Sequence, residues 1–355
     1  MKHIKIHFCD ICTDSTSIKF SVDPIVNLLE KFYEIEFSAE HPDFLFYSGW
    51  GNQHLRYQDC VKIFFSDEAV MPHFNECDYA ITCNPIFFGN RHLGLDLYRF
   101  WLAFQNKQIQ FSSKNIGMHL LDRKFCNFIY SQSHSGEGAL LRKKFCRLLA
   151  KYKTVDCPGA ALNNMTDAIS AREGDFEQGK LDFIRDYKFT IAFENCAQIG
   201  YVTEKLVHPF VAHSLPIYWG DPEVGREYNT KAFVHVRDFE SLEAVVERIK
   251  YLDTHDEEYL NILRENPYQE MANPVKALEE FLCSIIERGN HPFNKNPRMM
   301  WDTSLNLLCT NTMELAARCL DAGQISIAKE HANTCLALDS IHRSRIYPLL
   351  EDIYK

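Results

Sequence analysis

The chain has 355 residues, 46% of them hydrophobic and 13% aromatic, which is enough apolar side chain for more than one buried core and too much for a disordered chain. A formal net charge of −10 excludes a general nucleic-acid binder, because phosphate backbones are held by clustered Lys and Arg. Any phosphate this chain binds must meet a few local cations.

The opening Met1-Lys2-His3-Ile4-Lys5-Ile6-His7-Phe8 has polar residues between its apolar ones, unlike a signal peptide or membrane span. A cytoplasmic placing is therefore expected, with attachment to the inner face of a membrane as the alternative. Ile4–Phe8, Phe44–Tyr47, Val61–Phe65 and Tyr79–Ile81 read as strands, and helices are predicted over Pro24–Phe32 and Leu93–Phe104. Pro24 suits a first helical turn, where its missing N–H has no partner to lose. Cys9 and Cys12 have the spacing of half a zinc site or a redox pair, but no second pair follows. Ordinary thiols are expected there, and most of the 13 cysteines should be reduced and buried.

The alternation then restarts. Strands are predicted at Phe125–Tyr130, Thr154–Asp156, Lys188–Phe193, Leu215–Trp219 and Phe233–Val236, with helices at Ala139–Lys151, Thr203–Ala212 and Leu242–Leu252. This pattern predicts an α/β chain of two doubly wound, Rossmann-type domains, 1–120 and 121–290, facing a cleft, with ligands at the carboxyl ends of the strands. Residues 291–355 are read as a helical extension. In it, Met313–Gly323 and Ile325–Leu338 form a packed hairpin stopped by Gly323, or a partner-binding repeat, and this pair is the candidate contact for a homodimer.

Special residues are densest between Tyr187 and Gly220. A strand ends in Phe193-Glu194-Asn195, a loop carries Gly200, and Tyr201-Val202-Thr203-Glu204-Lys205 opens a helix. Thr203 is a good N-cap, and the helix N-terminus behind it offers backbone N–H groups to a phosphate. Adjacent helical positions diverge by about 100°, so Glu204 and Lys205 are read as two separate contacts. Glu204 can accept from ribose hydroxyls, and Lys205 can offer a point charge to diphosphate oxygens. The competing reading leaves Glu204 to complement the helix dipole and Lys205 to solvent.

The runs Tyr187-Lys188-Phe189, Phe193-Glu194-Asn195, Tyr201-Val202-Thr203-Glu204-Lys205 and Pro216-Ile217-Tyr218-Trp219-Gly220-Asp221-Pro222 closely resemble the α-1,3/4-fucosyltransferases of glycosyltransferase family 10. Phe233-Val234-His235-Val236-Arg237-Asp238-Phe239 continues the resemblance. It implies a GT-B-like scaffold and inverting transfer of L-fucose from GDP-β-L-fucose, with no metal or other cofactor required and the donor held by the C-terminal domain. By resemblance, Asn195, Tyr201, Glu204 and Lys205 fall on donor positions, Glu204 at the ribose and Lys205 at the phosphates. Ala139-Leu140-Leu141-Arg142-Lys143-Lys144-Phe145 looks like the segment bearing a diphosphate-binding arginine. Arg142 is chosen, with Lys143 as competitor.

Inversion also needs a carboxylate to take the acceptor proton. Asn75-Glu76-Cys77-Asp78-Tyr79-Ala80-Ile81 resembles a family segment, and the acid preceding it in bacterial members falls on Glu68. The sequence departs from the bacterial pattern here, with Asp67-Glu68-Ala69 where Gly-Glu-Asn is common, so Asp67 stays open as the alternative. The implied acceptor is an N-acetyllactosamine-like oligosaccharide and the implied product an α-1,3-fucosyl linkage of the Lewis type. Alternatives are an α-1,4 linkage, another GDP-sugar, or a non-catalytic carbohydrate- or protein-binding module.

Overall fold

The computed structural model describes residues 1–11, 15–86, 88–104, 113–131, 137–166, 176–270, 273–293, 313 and 315–338. It divides into two units, Met1–Asn106 with Ala272–Lys355, and Lys107–Met271. Each contains one parallel sheet wound by helices.

The first unit carries strands β1 (Lys2–Cys9), β2 (Tyr33–Phe37), β3 (Phe44–Tyr47), β4 (Val61–Ser66), β5 (Tyr79–Thr82) and β6 (His92–Gly94) in the spatial order β2-β1-β3-β4-β5-β6. All neighbours pair in parallel. β3, β4 and β5 are buried at every position, as expected for a sheet covered on both faces. The strand order reverses between β1 and β3, which makes their carboxyl ends a switch point.

Helix α1 (Ser15–Leu29) begins well before Pro24, which therefore lies inside it rather than in its first turn, forgoing one helical hydrogen bond. The helix predicted from Leu93 is α2 (Leu97–Phe104), and the residues before it form β6 instead. Two contacts decide this. A Cβ at Gly94 would stand 2.9 Å from Asn84 O, so the backbone runs close beside that loop. Asp96 then caps the helix, accepting from Arg99 N–H at 2.9 Å.

The second unit carries β7 (Lys124–Asn127), α3 (Glu137–Leu149), β8 (Val155–Asp156), α4 (Phe176–Ile184), β9 (Tyr187–Phe193), α5 (Glu204–Ala212), β10 (Leu215–Trp219), β11 (Val234–His235), α6 (Leu242–Thr254) and α7 (Asp256–Arg264). Its sheet order, β11-β10-β9-β7-β8, is again all parallel, and the switch point falls between β7 and β9. Phe145, Phe189, Ile191, Phe193, Ile217 and Val245 lie in one core that joins α3 and α6 to the sheet. The motif residues Tyr187 and Lys188 are structural. Tyr187 Oη donates to Asp156 Oδ2 at 2.7 Å, and Lys188 Nζ pairs with Asp253 Oδ1 at 3.1 Å.

The predicted boundary at residue 290 gives way to one at 271. Helix α8 (Pro274–Glu287) belongs to the first unit, because Lys2 Nζ donates to Ile286 O at 2.9 Å, Lys31 pairs with Glu279 at 2.7 Å, and Phe281 packs edge-on against Tyr79. The predicted C-terminal hairpin consists of a helical stretch over 315–321 and the helix Ile325–Leu338. Gly323, at φ 72°, closes the first helix. Its N–H reaches Leu320 O while Gln324 N–H reaches Cys319 O, the paired bonds of a Schellman stop. The helices meet through Ala316, Ala328, Ala332 and Cys335, with Met71 packed against them. Among the described residues no helix is long and apolar enough to cross a membrane.

Cys9 is buried at the end of β1, its thiol donating to Asp10 Oδ2 at 3.6 Å, and Cys12 lies outside the described residues. The described cysteines are free thiols, most of them buried.

Candidate donor site

The candidate site in the second unit is built on the carboxyl end of β9 at the switch point. Tyr130, following β7, fixes that end. Its hydroxyl donates toward Ile191 O at 2.8 Å and Phe193 O at 3.1 Å and accepts from Phe193 N–H at 2.7 Å. Two glycines then let other segments close on Glu194 and Asn195. A Cβ on Gly138 would stand 2.0 Å from Glu194 O, and one on Gly220 would stand 2.6 Å from Glu194 Cγ. Glycine is required at both positions by close approach.

Gly138 lies in the first turn of α3, where its N–H donates to Asn195 O at 3.1 Å. One turn later, on the same face, Arg142 donates from Nη1 to Asn195 Oδ1 at 3.1 Å and lays its guanidinium 4.1 Å from the Tyr130 ring centroid. Arg142 is buried, whereas Lys143 is half-buried and Lys144 and Arg147 are exposed. The sequence choice of one cation from this cluster thus falls on the residue that the structure brings to Asn195. Burial pulls the Arg142 pKa below its ordinary value.

Thr203 is the N-cap of α5, as predicted; its side chain accepts from Lys205 N–H at 3.3 Å. The helix end is nevertheless not open to phosphate in the manner expected. Glu194, fully buried, already stands at the helix end. Its Oε1 accepts from Thr203 N–H at 2.9 Å, and its Oε2 accepts from Thr203 Oγ1 at 2.8 Å. A carboxylate therefore occupies the anion's position at the positive end of the helix dipole.

Glu204 and Lys205, read as two separate contacts, also meet each other in the structure. Lys205 Nζ lies 3.4 Å from Glu204 Oε1, 3.3 Å from Glu194 Oε2 and 3.0 Å from Thr203 Oγ1. Its long stem folds back toward the helix N-terminus, where two carboxylates concentrate the negative charge. Burial acts against the charged form of Lys205, but Glu204 and Glu194 outweigh it and the pKa ends above the ordinary lysine value. For Glu204, burial is outweighed by Lys205 and Lys180, which hold the carboxyl well below its usual range. Burial raises the Glu194 pKa, with Lys205 opposing.

Tyr201 is buried in the loop between β9 and α5. That loop is tied down by Asp221, whose Oδ2 accepts from Gly200 N–H at 2.9 Å and whose Oδ1 accepts from Glu223 N–H at 2.7 Å. Burial pushes the Asp221 carboxyl up to about 7.

Glu68 belongs to the first unit, just beyond the carboxyl end of β4, and is exposed together with Asp67. Its N–H donates to Ser66 Oγ at 3.2 Å, and its carbonyl accepts from Val70 N–H at 2.7 Å. These bonds make a short turn that holds both acids at the end of the strand. Sequence reasoning gave no role to Tyr130, Glu194, Lys180 or Asp221. Glu194 and Asp221 stood inside the recognised motif, while nothing local marked Tyr130 or Lys180. Among the described residues no three His, Cys, Asp or Glu side chains gather closely enough to hold a metal ion.

Comparison with known proteins gives this geometry its context. The model of the alpha-(1,3)-fucosyltransferase FucT N-terminal domain matches residues 6–101, and that of the glycosyltransferase family 10 (fucosyltransferase) C-terminal region matches residues 122–299. The Helicobacter pylori alpha-(1,3)-fucosyltransferase FucT is 31% identical over 273 residues, 68% of this chain and 56% of that protein. The Drosophila melanogaster alpha-(1,3)-fucosyltransferase B is 30% identical over 162 residues, 44% of this chain and 36% of that protein. The chain thus spans about half or less of the length of these relatives. A crystal structure of an alpha1,3-fucosyltransferase with GDP matches with a TM-score of 0.65 at 24% identity, covering 83% of this chain and 93% of that one. One with GDP-fucose matches with a TM-score of 0.63 at 25% identity, covering 81% and 91%. With an N-terminal and a C-terminal family model falling one on each doubly wound sheet, the chain belongs to glycosyltransferase family 10, the fucosyltransferases.

Proposed function

We propose that the protein transfers L-fucose from GDP-β-L-fucose, with inversion, to a hydroxyl of an N-acetylglucosamine-containing glycan, forming an α-1,3 linkage. The observation that carries this reading is the convergence of Arg142, Lys205 and Glu204 on the carboxyl end of β9 in a family 10 chain. The acceptor oxygen bonds to fucose C1 while the bond from C1 to the β-phosphate oxygen breaks, and that electron pair leaves with GDP. The acceptor proton passes to Glu68. Arg142 and Lys205 oppose the charge growing on the diphosphate, each by a few kcal/mol if they resemble an oxyanion-hole donor, whose loss costs about 2.7–4 kcal/mol. Asn195 orients the guanidinium. Glu204 accepts from ribose hydroxyls, and Tyr201 lines the nucleotide's loop. With two cations in these roles, a metal ion is not required for the leaving group.

The test is incubation with GDP-fucose and N-acetyllactosamine in the presence of EDTA, reading GDP release and the linkage of the product. An α-1,3-fucosylated product is expected; no GDP release with any β-galactoside acceptor, or a reaction stopped by EDTA, overturns the proposal in this form. Glu68→Gln should lower transfer by roughly 10²–10⁴-fold, the usual scale of positioned proton transfer, while GDP-fucose still binds. Loss of binding as well would make Glu68 structural, and a matching loss in Asp67→Asn alone would move the base to Asp67.

A further inference from the structure

Glu204 meets a second cation that lies outside the Tyr187–Gly220 stretch. Lys180, on α4, brings Nζ to 3.4 Å from Glu204 Oε1, the same oxygen that Lys205 Nζ approaches at 3.4 Å. Helices α4 and α5 pack together at this point. The Lys180 side chain is only 8% exposed, whereas that of Glu204 is 32% exposed, so the lysine sits inside and the carboxylate reaches the surface where a ligand can meet it. An ammonium withdrawn from water is costly unless a carboxylate answers it. A methylene chain ending in a hydrophobic tip would pack in the same place without that cost, so the charge itself calls for a purpose.

Charge balance supplies one. Two carboxylates, Glu194 and Glu204, are set against Lys205, Lys180 and Arg142 within this site. Were Lys205 their sole ammonium, turning it toward a diphosphate would strand Glu204. With Lys180 in place Glu204 remains paired, and Glu194 keeps its bonds from Thr203. We propose that Lys180 is a positioning residue of the donor site: it holds Glu204 ionised and in one orientation for the hydroxyls of the sugar nucleotide, and so releases Lys205 to follow the charge on the leaving diphosphate. This rests on the donor reading above.

The groups facing Glu204 are Lys180 from α4, Lys205 and His208 on α5, Glu194 at the end of β9 and Arg142 from α3. Removing Lys180 takes away one of the cations that keep Glu204 deprotonated.

The experiment is a double-mutant cycle on the full chain with Lys180→Met, Glu204→Gln and their combination, with Lys180→Arg alongside, reading kcat and KM for each substrate and thermal melting. Lys180→Met should lower kcat/KM for GDP-fucose about tenfold, the scale of one charge-assisted contact, and leave the acceptor KM unchanged. Lys180→Arg should recover most of that loss. In the Glu204→Gln background Lys180→Met should have less than about a twofold further effect, as coupled residues behave. Losses that multiply in the double variant overturn the inference, because Lys180 would then act on the ligand directly or on the fold at large. If Lys180→Met fails to fold, Lys180→Gln takes its place in the cycle under the same criteria. A wild-type chain that does not bind GDP-fucose overturns the donor reading and this inference together, whereas wild-type binding with multiplying losses overturns this inference alone.

Discussion

Gly138→Ala tests how the donor site is assembled. The new Cβ would stand 2.0 Å from Glu194 O and 2.7 Å from Asn195 O, both backbone atoms that cannot rotate away. Ordinary contact begins near 3.4 Å, so α3 must retreat by about 1.4 Å at its first turn. The Gly138 N–H to Asn195 O bond, now 3.1 Å, would then pass beyond hydrogen-bond range. Overpacking costs about 1–3 kcal/mol and the lost bond about 1, while the better helix propensity of alanine returns about 1. The net destabilisation is therefore about 1–3 kcal/mol. Arg142 rides on the same helical face one turn on, and a displacement of roughly 1 Å at a positioning group can cost about 10²-fold. GDP affinity by calorimetry, kcat/KM for GDP-fucose and the urea midpoint are the measurements. Gly179→Ala on α4, where a Cβ meets nothing within 4 Å, is the matched control and should be neutral or stabilising by up to about 1 kcal/mol. A Gly138→Ala protein with wild-type midpoint and wild-type GDP affinity would refute the claim that this close approach sets Arg142.

The remaining predictions concern single groups. Arg142→Lys keeps a charge but loses the fork that reaches Asn195 and the plane that lies on Tyr130, so single-turnover transfer should fall about 10²–10³-fold; Lys143→Ala should stay within about twofold of wild type, and the reverse ranking would hand the role to Lys143. Tyr130→Phe keeps the ring under Arg142 but removes three backbone contacts at the end of β9. It should lower stability in urea by about 1–3 kcal/mol while changing the GDP-fucose KM little; the opposite split would make the hydroxyl a ligand contact. Asp221 titrates near 7 in the folded chain against 3.8 as its ordinary value, so the native state binds its proton more tightly than the unfolded state. Its contribution is fully present below pH about 4 and is lost as pH rises toward 7, by at most about 4 kcal/mol. Asp221→Asn should flatten the fall of the urea midpoint between pH 5 and pH 8, and an unchanged slope would refute the assignment.

Much of the fold was legible because both sheets are parallel and covered on both faces, which leaves strands such as Phe44–Tyr47 and Leu215–Trp219 as unbroken apolar runs. The elements that escaped are those whose pattern depends on a neighbour. Strand β2 alternates Tyr33, Ile35 and Phe37 along the sheet edge, but it is short and follows the predicted helix Pro24–Phe32 directly, with no turn residue to mark its start, so the sequence reading assigns it no element. Helix α8 has an amphipathic pattern that fits any sheet. Its place is decided by partners such as Lys2 and Lys31, more than 200 positions away in the chain, and no local pattern encodes a return of that length.

The site divides along the same line. Thr203, Glu204 and Lys205 could be placed at a helix start because capping is local. Which of Arg142, Lys143, Lys144 and Arg147 reaches Asn195 depends instead on Gly138, since the helix can press that face against Asn195 only where no side chain intervenes. The carboxylates were harder still. A glutamate at a strand end suits a ribose contact, a base or a cap equally well, and only the buried bonds from Thr203 to Glu194 mark it as the group that caps α5. The sequence therefore exposed the cations a diphosphate would need, but hid the anions that hold them. Those anions matter to the chemistry. A cation fixed in advance, as Arg142 is by Asn195, needs little reorganisation as charge develops on a leaving group, while carboxylates that stay paired with Lys180 and Thr203 leave Lys205 free to turn toward it.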